Sequence, residues 1–116
     1  PQTVGMLDAH LFDRMKPNTT FINTGRGAQV VEADMIAALR ADSSRAAVLD
    51  VTYPEPPHED SPLYTLDNVY LTPHIAGSLG HEVRRMGEYM LSEYRHVAAG
   101  EKTKYGVTLK MLETMA

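Results

Sequence analysis

Arg26, Glu55 and His74 are the residues of this 116-residue chain whose types and positions most readily do chemistry. Each lies just past a short apolar run, in Thr20-Phe21-Ile22-Asn23-Thr24, Ala46-Ala47-Val48-Leu49-Asp50 and Val69-Tyr70-Leu71-Thr72. If those runs are neighbouring parallel strands, the three side chains gather at the carboxyl edge of one sheet, where open α/β sheets bind ligands. A carboxylate beside an imidazole fixes its tautomer and supports proton donation near neutral pH. A guanidinium fork grips a small acid's carboxylate and polarises a neighbouring carbonyl.

Each residue also has a plainer structural use. His74, between Pro73 and Ile75, suits a satisfied core histidine, and Glu55 a solvated loop carboxylate. Arg26 suits a strand-end cap, and Asp50 a turn former. The combination favours an active site, because Pro54 and Pro56 stiffen the loop on both sides of Glu55 and a stiff loop aims a side chain.

These positions require a particular set of elements. Leu7, Leu11, Phe12 and Met15 repeat at helical spacing, closed by Pro17-Asn18. Thr20–Asn23 is predicted to be a strand, and Gly25 and Gly27 flank Arg26 in a tight turn. Residues 32–41 place Met35, Ile36 and Leu39 on one helical face, with Glu32 and Asp34 at the positive amino end. Ala46–Val51 is a nearly unbroken apolar run, as for a strand covered on both faces.

Residues 52–67, rich in proline and acid, are predicted to be an ordered loop. Asn68–Thr72 is a third strand. Ser78 is expected to cap a long helix over about 79–98, with Val83, Met86, Met90, Tyr94 and Val97 inward and Gly100 ending it. The tail has weaker helical spacing in Leu109, Met111, Leu112 and Met115. Helix–strand–helix–strand–loop–strand–helix implies an α/β fold with right-handed crossovers. It is a partial doubly wound parallel sheet of Rossmann type, with three of about six strands readable, so the second half of a dinucleotide-binding domain.

Composition narrows the function classes. Apolar content of 43% and charged content of 22% are ordinary for a globular protein. A net charge of −4 gives no basic field for nucleic acid and no polybasic membrane patch. No apolar stretch approaches the roughly 20 residues of a membrane span. Zero cysteines exclude disulfides, thiolate zinc sites and cysteine nucleophiles, and fit a reducing cytoplasm. His10, His58, His81 and His96 have the setting of surface residues, and no pair has zinc spacing, so no metal is expected. The start at Pro1 on a helical lead-in resembles a cut within a longer protein, and the chain is expected to be a fragment.

Two motifs mimic other functions. Gly25-Arg26-Gly27-Ala28-Gln29-Val30, with Asp50 downstream, imitates a dinucleotide fingerprint, but its last position is Val, where close helix packing prefers Gly or Ala. Ser78 in Gly77-Ser78-Leu79-Gly80 lacks the glycine two residues before the serine that a nucleophile elbow needs.

Taken together, Phe21-Ile22-Asn23-Thr24-Gly25-Arg26-Gly27, Leu49-Asp50-Val51 with Pro54-Glu55-Pro56, and Leu71-Thr72-Pro73-His74-Ile75-Ala76-Gly77 resemble the D-isomer-specific 2-hydroxyacid dehydrogenases. The three motifs stand in the family's order and spacing, and the resemblance runs from Pro1 to about Gly100. It implies a two-domain, dimeric, cytoplasmic oxidoreductase using NAD, with NADP also open, and a small 2-hydroxy or 2-oxo acid as substrate. Residues 1–100 would be the carboxyl half of the cofactor domain, and 101–116 a tail returning to the substrate domain.

The resemblance assigns Arg26 to the substrate carboxylate and carbonyl, His74 to proton transfer at the C2 oxygen, and Glu55 to holding His74. Thr24, Gly25, Arg26, Asp50, His74, Ala76 and Gly77 would contact the cofactor. Thr52 stands where many members have phenylalanine. An isolated fragment is expected to be inactive. Corepressors of the same fold, which respond to NAD and bind protein partners, carry a similar triad and form the alternative, as does self-association through helix 79–98.

Overall fold

The structure, a computed structural model, describes residues 2–113. The chain divides after Gly77 into two compact units.

In the first unit, β1 (Thr20–Asn23), β2 (Ala46–Leu49) and β3 (Val69–Leu71) form a parallel sheet in sequence order. Thr20 pairs with Ala46 and Asn23 with Leu49, while Ala47 pairs with Val69 and Leu49 with Leu71. In this register all three chains leave the sheet at the same edge. The crossover from β1 to β2 is α2 (Glu32–Ala41), which buries Met35, Ile36, Ala38 and Leu39. These pack with Phe12, Ala47, Leu49 and Leu63 into one core. Phe12 meets Phe21 edge-on, with ring centroids 5.3 Å apart.

β1 has the predicted bounds, β2 and β3 are shorter than predicted, and β2 is not covered on both faces. Ala47 and Leu49 are buried, whereas Ala46 and Val48 are half-buried. Ile22 and Tyr70, the register partners of Val48, are exposed, so one face of the sheet meets α2 and the other is open. An apolar run does not by itself distinguish one covered face from two.

The predicted first helix contracts to α1 (Ala9–Phe12). Asp8 caps it by accepting from the His10 amide, and the Asp34 carboxylate accepts from Ala9 N at 2.8 Å. Leu7 is drawn instead into a parallel bridge with Val30. The segment after Arg26 makes a 3-10 turn over Gly27–Gln29 before that bridge, rather than opening directly into a helix.

The proline-rich loop contains a second 3-10 turn, Pro62–Tyr64, capped by the Ser61 hydroxyl, which accepts from Leu63 N. Leu63, 2% exposed, is driven into the core and pins the loop to the sheet. The Ser61 hydroxyl also donates to Glu32 at the start of α2.

The second unit contains α3 (His81–Ala98) and α4 (Leu109–Leu112). Gly80, at φ 54°, occupies the cap position of α3, and Ser78 does not cap it. The left-handed backbone there suits glycine, which has no Cβ to clash. Gly100, at φ 69°, ends the helix as expected, its N–H donating to Val97 O. Val83, Met86, Met90, Tyr94 and Val97 form the predicted apolar stripe, but they are exposed rather than inward. Within this unit Glu93 accepts from the amides of Lys104 and Tyr105, and Tyr105 packs beside Tyr89. The expectation for Met115 falls outside the described residues. Among the described residues no helix is long and apolar enough to cross a membrane.

Candidate active site

Glu55 and His74 meet at the carboxyl edge of the sheet. His74 Nδ1 lies 2.6 Å from Glu55 Oε1, a charge-assisted distance. Glu55 sits between Pro54 and Pro56, each preceded by a cis peptide bond. The Thr52 hydroxyl donates to Pro54 O at 2.9 Å and closes the turn beneath it. Thr52 therefore braces the loop, where sequence alone gave it no role. His74, just past β3, has a positive φ of 52°. The pair is half exposed, so its stabilising effect is small and its geometry is the informative property.

A cleft of about 480 Å³ opens beside the pair, lined by Thr52, Glu55, Pro57, Tyr64, Leu71 and His74 among others. Its walls are mostly apolar, with polar groups in that acid–imidazole pair, the Asp50–Thr72 rim and the Thr52 and Tyr64 hydroxyls, a combination suited to a small organic ligand.

Asp50, at the end of β2, is 4% exposed. Its Oδ1 accepts from the Thr72 hydroxyl at 2.5 Å and from Ile75 N at 2.8 Å, and its Oδ2 from Ala76 N at 2.8 Å. The Thr72 bond holds the Asp50 carboxyl below the usual carboxylate range. Burial opposes it, and the Ala76 and Ile75 amides and the charge on His74 add to it.

The β1 end is organised differently. Asn23, 6% exposed, accepts from Gly25 N at 3.0 Å through Oδ1 and donates from Nδ2 to Arg26 O at 3.2 Å. Its main-chain carbonyl also accepts from Asp50 N, tying the β1 and β2 ends together. A Cβ at Gly27 would overlap the backbone carbonyl of Thr52, so glycine lets this turn lie against the loop that carries Glu55. The Arg26 side chain is exposed, and Nη1 donates to Gly25 O at 2.8 Å. It does not line the cleft.

The sheet thus brings Glu55 to His74 and Asp50 to Ala76, while Arg26 stands on the neighbouring turn without a bond to either acid. Thr24 and Gly25 are exposed on that turn, as is Gly77 after β3. Asn23, Thr52 and Thr72 carry positioning bonds that sequence alone did not single out. An Asn immediately before Thr-Gly is a turn signal that could have marked Asn23. Nothing local marks Thr72, whose partner lies 22 residues away.

Residues 1–76 match the family described as D-isomer specific 2-hydroxyacid dehydrogenase, NAD binding domain. The chain is 48% identical over 83 residues to glyoxylate/hydroxypyruvate reductase B of Cronobacter sakazakii, covering 72% of this chain and 25% of that protein. It superimposes on a D-isomer specific 2-hydroxyacid dehydrogenase of Xanthobacter autotrophicus in complex with NADPH with a TM-score of 0.75, at 35% identity, covering 93% of this chain and 44% of the other. With the D-lactate dehydrogenase of Lactobacillus jensenii bound to NAD+ the TM-score is 0.80 at 29% identity, covering 92% and 36%.

The chain belongs to the D-isomer specific 2-hydroxyacid dehydrogenases, its first 76 residues to their NAD-binding domain. The sheet is accordingly part of a Rossmann-type domain of the NAD-binding kind. The chain spans about a fifth to a third of the length of the curated relatives it matches.

Proposed function

We propose that the protein carrying this chain is an NAD(P)-dependent D-2-hydroxyacid dehydrogenase, interconverting a small 2-oxo acid and its D-2-hydroxy acid. The observation that carries this reading is the 2.6 Å pairing of His74 with Glu55 at the ligand-binding edge of the sheet.

The residues at this rim suit the cofactor. Among the described residues Asp50 Oδ2 accepts only the Ala76 amide, and a carboxylate oxygen has a second lone pair for an amide N–H such as that of a nicotinamide carboxamide. Exposed Thr24, Gly25 and Gly77 flank it with backbone groups and little side-chain bulk. Thr24, Gly25, Asp50, Ala76 and Gly77 would hold the ring, with Arg26 and His74 at its margin. When bound, the nicotinamide supplies or accepts the hydride at C2.

The chain's own residues do the rest. Arg26 swings from the Gly25 carbonyl to grip the substrate carboxylate, and its positive charge polarises the C2 carbonyl. Glu55 holds the proton on His74 Nδ1, which leaves Nε2 to exchange a proton with the C2 oxygen. Fixed geometry at this edge lowers the entropic cost of bringing the groups together. The acting form is a homodimer in the cytoplasm, and residues 1–116 by themselves are inactive.

The test is turnover by the intact protein of a panel of 2-oxo acids, including glyoxylate, hydroxypyruvate and pyruvate, with NADH and then NADPH. Loss of nicotinamide absorbance at a rate that falls sharply in His74→Ala is the expected result. Cofactor binding with no turnover across the panel would overturn the reading in favour of an NAD-responsive corepressor-like binding protein.

A further inference from the structure

We propose that Asp50 and Thr72 form a clamp that fixes His74 in its left-handed backbone conformation and so presents Nδ1 to Glu55; its bearing on proton transfer rests on the function proposed above. Asp50 is then a positioning residue acting through His74, besides anything it does for a cofactor.

The argument begins at the backbone. His74 is one of two non-glycine residues with positive φ among those described. A side chain with a Cβ is strained there, and the conformation persists only where surrounding contacts over-determine it. Those contacts come from both sides of His74. Two residues before it, the Thr72 hydroxyl donates to Asp50 Oδ1 and Thr72 N donates to Leu49 O. One and two residues after it, Ile75 N and Ala76 N donate to the two Asp50 oxygens. Within the turn, His74 N donates to Thr72 O. Three donors that bracket a single residue thus converge on one carboxylate.

That carboxylate is itself immobile. Asp50 is buried, continues directly from β2, and donates its amide to Asn23 O on β1. The imidazole, by contrast, is half exposed and its side-chain bond is to Glu55. Its aim is therefore inherited from the backbone. A buried carboxylate needs hydrogen-bond donors wherever it lies. Satisfaction alone does not require that they flank one strained residue. The depressed ionisation of Asp50 agrees with a carboxylate that stays charged and keeps all three donors.

The test uses the intact protein labelled with 15N-histidine, with His74 assigned by its disappearance in His74→Gln. Imidazole nitrogen shifts report which nitrogen carries the proton. In the native protein the neutral ring should be protonated on Nδ1, facing Glu55. Thr72→Val, which exchanges a hydroxyl for a methyl at nearly constant volume, should move the tautomer ratio severalfold toward Nε2–H. Thr72→Ser should retain the native ratio.

Asp50→Asn, which offers Ala76 or Ile75 a donor where an acceptor is needed, should move the ratio further. If it fails to fold, Thr72→Val decides. In kinetics, Thr72→Val should lower kcat roughly tenfold, as modest misplacement of a reacting group does, with little change in KM for the cofactor. A native tautomer ratio in folded Thr72→Val would overturn the clamp, as would a raised cofactor KM with kcat intact. A native protein that turns over no 2-oxo acid would defeat the function instead and leave the tautomer measurement to judge the clamp.

Discussion

The ends of β2 and β3 hold their functional side chains by bonds that cross the sheet, whereas the end of β1 holds only its main chain. Asp50 is locked by three donors and His74 by Glu55. At β1, Asn23 fixes the Gly25–Arg26 backbone from both sides, but the guanidinium reaches only the preceding carbonyl. The difference matches the role proposed for each group. A proton-transferring ring loses rate when its orientation wanders. A cation that must close on a substrate anion gains from a fixed root and a movable tip.

Several substitutions would break or sharpen that contrast, beginning with the largest effect. Leu63→Ala removes the buried plug that pins the Glu55 loop and should cost about 2–5 kcal/mol. Chemical denaturation measures it, and a loss under 1 kcal/mol would mean the loop is held elsewhere. Arg26→Lys should leave the thermal midpoint alone yet lower kcat/KM on the order of 100-fold, because a point charge does not reproduce a planar fork. Near-normal kinetics would remove Arg26 from its proposed role.

Gly27→Ala should destabilise by about 1–3 kcal/mol, since the added methyl meets the Thr52 backbone. Gly77→Ala, whose Cβ meets nothing within 4 Å, serves as the near-neutral control. Glu55→Gln should lower kcat about tenfold while shifting stability by less than about 1 kcal/mol, because the ion pair is half exposed. A large stability loss would recast that pair as structural.

The smallest effect is acid dependence at Asp50. Its folded value is depressed below the ordinary 3.8, so its contribution is fully present above that value. It fades as pH falls through the lower folded value, where the carboxylate takes up a proton. The gap in thermal midpoint between the native protein and Asp50→Asn should therefore close with acidification. A gap that stays constant down to the point of acid unfolding would show that ionisation of Asp50 is not what the Thr72 and Ala76 bonds depend on.

Much of the frame was legible because it is local. Three short apolar runs separated by a helical face and a proline-rich loop specify parallel strands with a crossover, and all three strands and α2 lie where the pattern puts them. Where the pattern misled, a distant partner decided. Leu7 left its helical repeat for a bridge with Val30. The cap of α3 is the local exception: Gly80, two residues past Ser78, takes it. The apolar stripe of α3 was visible as periodicity, but periodicity specifies a face and not what covers it.

The sequence by itself determined the residue types at the sheet edge and the order in which they arrive: a guanidinium after one strand, a proline-framed carboxylate after the next, an imidazole after the third. Only the tertiary structure decided that Glu55 touches His74, that Arg26 stays on its own turn, and that Asp50 draws Thr72, Ile75 and Ala76 around His74. The physical reason is range. Propensity and periodicity act over a few neighbouring residues, while these bonds join positions some twenty residues apart that meet only when the strands come into register.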